Sequence, residues 1–407
     1  MKKTELRKYA SLIARVGGGV KKGDNVIIVA ELDQPEFVEM LAVECYRAGA
    51  KKVTVEWSHQ PLARISNRYQ SLTTLSSLAD WEIEKWKDRA KKLPVMLYLE
   101  SEDPDGLAGI NQEKNAKAIQ AKMKYIKPIR DTMECRYKWC IAAVPGVKWA
   151  KKMFPKLRQN QAVEALWQAI FETVRMCDDP IAAWDEHNRD LAARCEHLNS
   201  LGIESLHYTA SNGTDLTVGM IPRCLFMGGG EYTLGGEYFN PNMPTEEVFI
   251  TPMKGKADGI VYATKPLSYR GELIENFSIV FKDGKAVEVH AERGEDLLRE
   301  MIGMDEGAAY LGECALVPYD SPINNTGLLF YNTLFDENAS CHLALGTGFP
   351  NCLADYADMT LDEAHEKGIN DSMIHVDFMI GTKDLSITAK TADGREIPVF
   401  RDGGWAF

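Results

Sequence analysis

"GDNVIIVAELDQPEFVEMLAVECYRAGAKKVTVEW", residues 23–57, is the stretch on which the reading of the fold turns. Asn25 to Ala30 is a short apolar run, as expected of a strand covered on both faces. Phe37, Val38, Leu41, Cys45 and Ala48 then recur at helical spacing, Gly49 closes the helix, and Lys52 to Trp57 resumes as a strand. Strand, helix and strand in that order imply a parallel pair joined by a right-handed crossover. "LPVMLYLES" (93–101) and "KWCIAAVPG" (138–146) supply two more buried strands, so this region reads as an open, mostly parallel α/β sheet. No G-x-G-x-x-G or G-K-[ST] follows any of these strands, and a nucleotide site is not indicated. Gly17 to Gly19 follow a helix-like segment and read as its C-terminal cap.

Further along, Val163, Leu166, Trp167, Ile170 and Val174 make one helical stripe that ends at Asp178 to Pro180, and a second helix runs to about Asn199. The texture then changes. "IESLHYTASNGTDLTVGM" carries an Asn-Gly turn between alternating strands. "FSIVFKDGKAVEVHAE" and "SITAKTADGREIPVFRDG" each place an Asp-Gly turn between strand-like runs. The expected division is an α/β domain over residues 1–195 and an α+β domain over 196–407 with a twisted, mainly antiparallel sheet.

A chain of 407 residues can bury two cores, and a net charge of -12 argues against a general nucleic-acid surface, which would be basic. The basic segment from Lys114 to Arg130 alternates with apolar residues at helical spacing and reads as a solvated helix face. No run reaches the roughly 20 apolar residues of a membrane helix, and charges interrupt any N-terminal signal core, so a cytoplasmic protein is expected. The nine cysteines, without paired spacing, fit reduced thiols.

"DSMIHVDFMIGTKD" (371–384) poses the chemical question. Read as a strand, it puts Ile374, Val376, Phe378 and Ile380 on one apolar face and Met373, His375, Asp377 and Met379 on the other. A carboxylate so placed needs compensation, from a cation, an arginine or an internal hydrogen bond. Similar polar intrusions occur at Glu247 in "NPNMPTEEVFITP", at Glu313 in "AYLGECALVP", and at Glu337 and His342 in "FDENASCHLALG". Four carboxylates and two histidines suit Zn²⁺, Co²⁺ or Mn²⁺, and are enough for two ions sharing a carboxylate. Of the remaining histidines, His59 and, on a polar helix, His187 and His197 read as surface residues, while His207, His290 and His365 lack nearby acids in a ligand pattern. Cys314 and Cys341, next to these polar positions, should point away from them.

"NMPTEEVFITP", "LGECALVP", "DENASCHLALG" and "HVDFMIG" follow one another in an order and at separations that closely resemble the M29 family of metallo-aminopeptidases, the aminopeptidase T and aminopeptidase S group. The resemblance covers nearly the whole chain. It implies a hydrolase that removes N-terminal residues from short peptides, acting through two divalent ions per chain in a deep cavity of a homodimer. The implied metal ligands are Glu247, Glu313, Glu337, His342, His375 and Asp377, with Glu313 as bridging ligand and proton acceptor. One position departs from the family pattern: Phe349 stands in "HLALGTGFPNC" where a tyrosine is expected to stabilise the tetrahedral intermediate. Loss of one such donor typically costs on the order of 10²–10³ in rate. Two other readings use the same ligands: a dinuclear phosphoesterase, and a metal-binding homologue with little or no turnover.

Overall fold

The computed structural model describes residues 1–407. They divide into two compact units, Met1–Glu186 with Gly230–Pro244, and His187–Gly229 with Thr245–Phe407. The division expected after residue 195 falls inside the helix Pro180–Ser200.

The first unit is built on five strands in the order Asn242–Met243, Trp139–Ala143, Val95–Glu100, Asn25–Glu31 and Lys52–Ser58, every pair parallel. Asn25 pairs with Lys52 and Glu31 with Ser58, so the opening βαβ unit forms as its periodicity dictates. The helix between them runs Pro35–Ala48, buries Phe37, Val38, Leu41 and Cys45, and ends at Gly49 with φ 112°. The expected cap forms: Gly18 follows the helical segment Ile13–Gly17 and donates its N–H to Ile13 O at 2.8 Å, and Gly19 has φ 51°. Gly17 and Gly18 have a second role. A Cβ on Gly17 would lie 2.6 Å from Cys140 Sγ, and one on Gly18 2.6 Å from a methyl of Leu97. They are glycines because the chain runs hard against the sheet.

The second unit holds two antiparallel sheets. Nine strands form the larger one, which contains the hairpins turned at Asn212–Gly213, Asp283–Gly284 and Asp393–Gly394. The smaller has five strands in the order His375–Met379, His342–Gly346, Leu311–Leu316, Val248–Ile250 and Met227–Gly228. The two faces of this smaller sheet differ in kind. Val248, Ile250, Cys314, Leu316, Leu343, Leu345 and Phe378 enter the main apolar core, with Ile374 and Val376 packed against it. That core also takes Leu206, Val218, Phe277 and Ile387 from the larger sheet, and the rings of Phe277 and Phe378 sit 5.8 Å apart. Alternation leaves every second residue for the opposite face.

Candidate metal centre

Glu313, Ala344 and Asp377 lie in register on three neighbouring strands, as do Ala315, His342 and Met379. All of them face away from the main core. The alanines matter: Ala344 separates the two carboxylates by a methyl group only, which leaves open the space above it. A β-bulge between Leu311 and Glu313 re-aims the glutamate, and Gly312 permits it, since a Cβ there would lie 2.2 Å from Thr347 O. Glu247 stands at the entry to the strand Val248–Ile250.

These residues fall into two groups that could each hold an ion. Glu247, Glu313 and His342 form one, and Glu313, His375 and Asp377 form the other; within each, the ligand atoms lie within 4.8 Å of one another. Glu313 belongs to both. Glu337, on the short helix Glu337–Ala339, meets the Asp377 carboxyl through a side-chain hydrogen bond. All six expected ligands are thus near one another, five in the two groups and Glu337 at their edge.

The hydrogen bonding around this set fits a cation. His375 Nδ1 lies 2.8 Å from Thr347 O and His342 Nδ1 3.3 Å from Ser340 O, so each carries its hydrogen there and turns Nε2 inward. Those inward nitrogens face carboxylates: His375 Nε2 is 3.0 Å from Glu313 Oε2, and His342 Nε2 is 3.2 Å from Glu247 Oε2. A lone pair against a carboxylate oxygen at that distance requires a proton or a metal ion between them. Asp377 Oδ1 is buried and receives no hydrogen bond, although His375 Nε2 lies 3.3 Å away, because the direction of approach is poor. Carboxylate and imidazole donors without thiolate suit Zn²⁺, Co²⁺ or Mn²⁺.

Without a metal ion, protons compensate the buried carboxylates. Burial disfavours the charge on His342, but the Glu247 carboxylate outweighs it and its pKa is pushed up to about 9. Burial acts the same way on His375, and the Asp377 and Glu313 carboxylates raise it well above its usual value. Burial lifts Glu313 to about 7. Metal must displace these protons, so affinity should rise with pH from about 7 to about 9, and binding at neutral pH should release protons. Calorimetric titration in buffers of different ionisation enthalpy checks this; a pH-independent affinity without proton release would contradict the assignment of both histidines.

Three features were not apparent in the sequence. His187 is buried rather than on the surface, with Nε2 2.8 Å from Thr245 O, and so braces the segment that carries Glu247. Asn338, fully buried, accepts from the Glu246 backbone N–H at 2.7 Å. Phe349 packs its ring against a candidate ligand, 4.9 Å from His375 and 5.3 Å from Phe249, beside a small apolar cluster with Ala315, Cys352 and Met227. Cys314 and Cys341 do point into the main core, as alternation requires.

A family model described as thermophilic metalloprotease (M29) matches residues 2–405. Aminopeptidase AmpS of Bacillus subtilis (strain 168) is 40% identical over 405 residues, 99% of this chain and 98% of the relative. Aminopeptidase T of Thermus thermophilus is 39% identical over 405 residues with the same coverage of both chains. The solved structure of wild-type AmpT from Thermus thermophilus matches with a TM-score of 0.90 at 38% identity, over 100% of each chain. No helix is long and apolar enough to cross a membrane. Two metal-competent groups on one sheet face, found in a chain that matches the family model from end to end, place this protein in the M29 family of metalloproteases, which are hydrolases.

Proposed function

We propose that the chain is a metal-dependent aminopeptidase that removes the N-terminal residue of short peptides at a dinuclear centre, with the unit His187–Gly229 and Thr245–Phe407 as its catalytic domain. The observation that carries this reading is that Glu313 belongs to both groups of metal-competent side chains. Glu247 and His342 would complete one position, and His375 and Asp377, with Glu337 behind them, the other. When bound, divalent ions supply Lewis acidity toward the scissile carbonyl and lower the pKa of the attacking water. Glu313 takes a proton from that water as its oxygen adds to the carbonyl carbon. It returns the proton to the amine as the C–N bond breaks. A carboxylate of the set that is not fully engaged holds the substrate's free α-ammonium group, which restricts cleavage to the first bond. The charges acting most strongly on Glu313, His342, His375 and Asp377 come from Glu247 and from one another. A phosphoesterase would instead place arginine or lysine beside them.

A homodimer accords with the helix Gln60–Tyr69, where Leu62, Ile65 and Tyr69 form an exposed stripe at helical spacing. The activity is tested by stripping the protein with chelator and assaying leucine p-nitroanilide, its N-acetyl derivative and p-nitrophenyl phosphate with Zn²⁺, Co²⁺ or Mn²⁺ added back. Hydrolysis of the free-amino substrate alone, dependent on metal, is the expected result. Cleavage of the phosphate ester alone, or of nothing, would refute it.

Phe349 bears on efficiency. Its ring lies among Phe249, the His375 imidazole and an apolar cluster, surroundings adapted to a ring without a hydroxyl. Phe349→Tyr is therefore expected to lower kcat, since a hydroxyl added to a ring packed 4.9 Å from the His375 imidazole would disturb that residue. A clear rise in kcat at constant KM would instead mark Phe349 as the simple loss of a transition-state donor.

A further inference from the structure

The carboxamide of Asn338 makes hydrogen bonds in two directions, and each ends at a segment carrying a candidate ligand. Its Oδ1 accepts from the backbone N–H of Glu246 at 2.7 Å, immediately before Glu247. Its Nδ2 donates to Leu334 O at 3.0 Å and to Glu337 Oε1 at 3.3 Å. The orientation of the amide is not arbitrary. Turned over, it would set its N–H groups against the Glu246 N–H and its oxygen against two other oxygens. The side chain is 0% exposed, so water offers no substitute for either contact. His187 holds the same Thr245–Glu247 segment from another direction, through Thr245 O at 2.8 Å. Asn338 joins that segment to Glu337.

We infer that Asn338 is a positioning residue for the dinuclear centre, a strut that sets the spacing between Glu247 on one side and the Glu337–Asp377 carboxyl pair on the other. This rests on the proposed function and adds to it how the two halves of the site are kept in register. A buried carboxamide is well suited to the task. It carries an acceptor for a backbone N–H and a donor for a carboxylate about two bonds apart, and it brings no charge of its own to compete for metal. The roles separate on substitution. Asn338→Asp keeps an acceptor for the Glu246 N–H but turns a second carboxylate oxygen toward Glu337 Oε1 and Leu334 O, so the Asp377 side of the centre is the side disturbed. Asn338→Ser is too short to reach either segment and should loosen both sides.

The test is calorimetric titration of chelator-stripped wild type, Asn338→Asp and Asn338→Ser with Mn²⁺ alone, alongside the melting temperature of each metal-free protein. Outer-shell partners of metal ligands typically account for about 10–100-fold in affinity. The expected result is that Asn338→Asp weakens one of the two ions by that amount and leaves the other near wild type, while Asn338→Ser weakens both. A purely structural role would lower the metal-free melting temperature without separating the two ions. If Asn338→Asp fails to fold, Asn338→Ser decides alone, through the weakening of both ions. Wild type taking up two ions while the folded variants bind both within about twofold of it would overturn this inference and leave the proposed function standing. A wild-type chain that takes up no Mn²⁺, Zn²⁺ or Co²⁺ would overturn both.

Discussion

Glu313→Gln should lower kcat on aminoacyl p-nitroanilides by about 10²–10⁴-fold, the range of a positioned proton acceptor, with further loss from weakened metal binding. Glutamine matches glutamate in size but has neither the charge that both ligand groups share nor the capacity to take a proton from water. The same substitution separates catalysis from stability. Burial raises the Glu313 pKa from 4.5 to about 7, so the folded metal-free protein pays for ionising it. That penalty begins as pH rises above the unfolded value near 4.5 and is complete above about 7. At pH 8 the metal-free Gln variant should melt no lower than metal-free wild type. A variant with near-normal kcat and both ions bound would remove Glu313 from the mechanism.

His375→Ala and Asp377→Ala should each abolish turnover, with losses exceeding the roughly 10–100-fold typical of an outer-shell partner, and each should cost an ion. The fold should survive both. Ile374, Val376, Phe378 and Ile380, which pack into or against the main core from the same segment, are untouched. Metal analysis and circular dichroism of each variant make the comparison. A variant that keeps wild-type metal content and turnover is not missing a ligand.

That separation of faces is also why the segment could be read in advance. Side chains in a strand alternate with period two, so a polar pair two residues apart declares a common face whatever the rest of the chain does. The hairpins were equally local, because Asp283–Gly284, with φ values of 51° and 78°, needs only residues that tolerate a left-handed backbone. What local patterns cannot show is which distant segment arrives alongside. The strand Asn242–Met243, short and set between prolines, pairs with Trp139–Ala143 about a hundred residues earlier, and nothing in its own sequence announces a parallel partner. The cap at Gly17 to Gly19 was a local matter, but the Cys140 sulfur that excludes a side chain at Gly17 is equally remote. His187 looked like a surface residue because its helix is polar and its carbonyl partner, Thr245, lies 58 residues away.

The candidate ligands themselves were found through the resemblance of four short stretches to a family, since no spacing among Glu247, Glu313, Glu337 and His342 specifies a metal site alone. Their supporting residues were invisible by the same reasoning. Ala344 is an ordinary core alanine until the register places it between Glu313 and Asp377 on the adjoining strands. Asn338 reads as a loop residue beside Glu337 until its Oδ1 is seen to meet Glu246, 92 residues earlier in the chain.

The central claim is that Glu313 joins two ions in one site, and the most direct measurement is the metal content of purified protein after dialysis against metal-free buffer. Elemental analysis should find close to two divalent ions per chain, and removing them with chelator should abolish aminopeptidase activity until Zn²⁺, Co²⁺ or Mn²⁺ is restored. At most one tightly held ion, with activity indifferent to chelator, would contradict it.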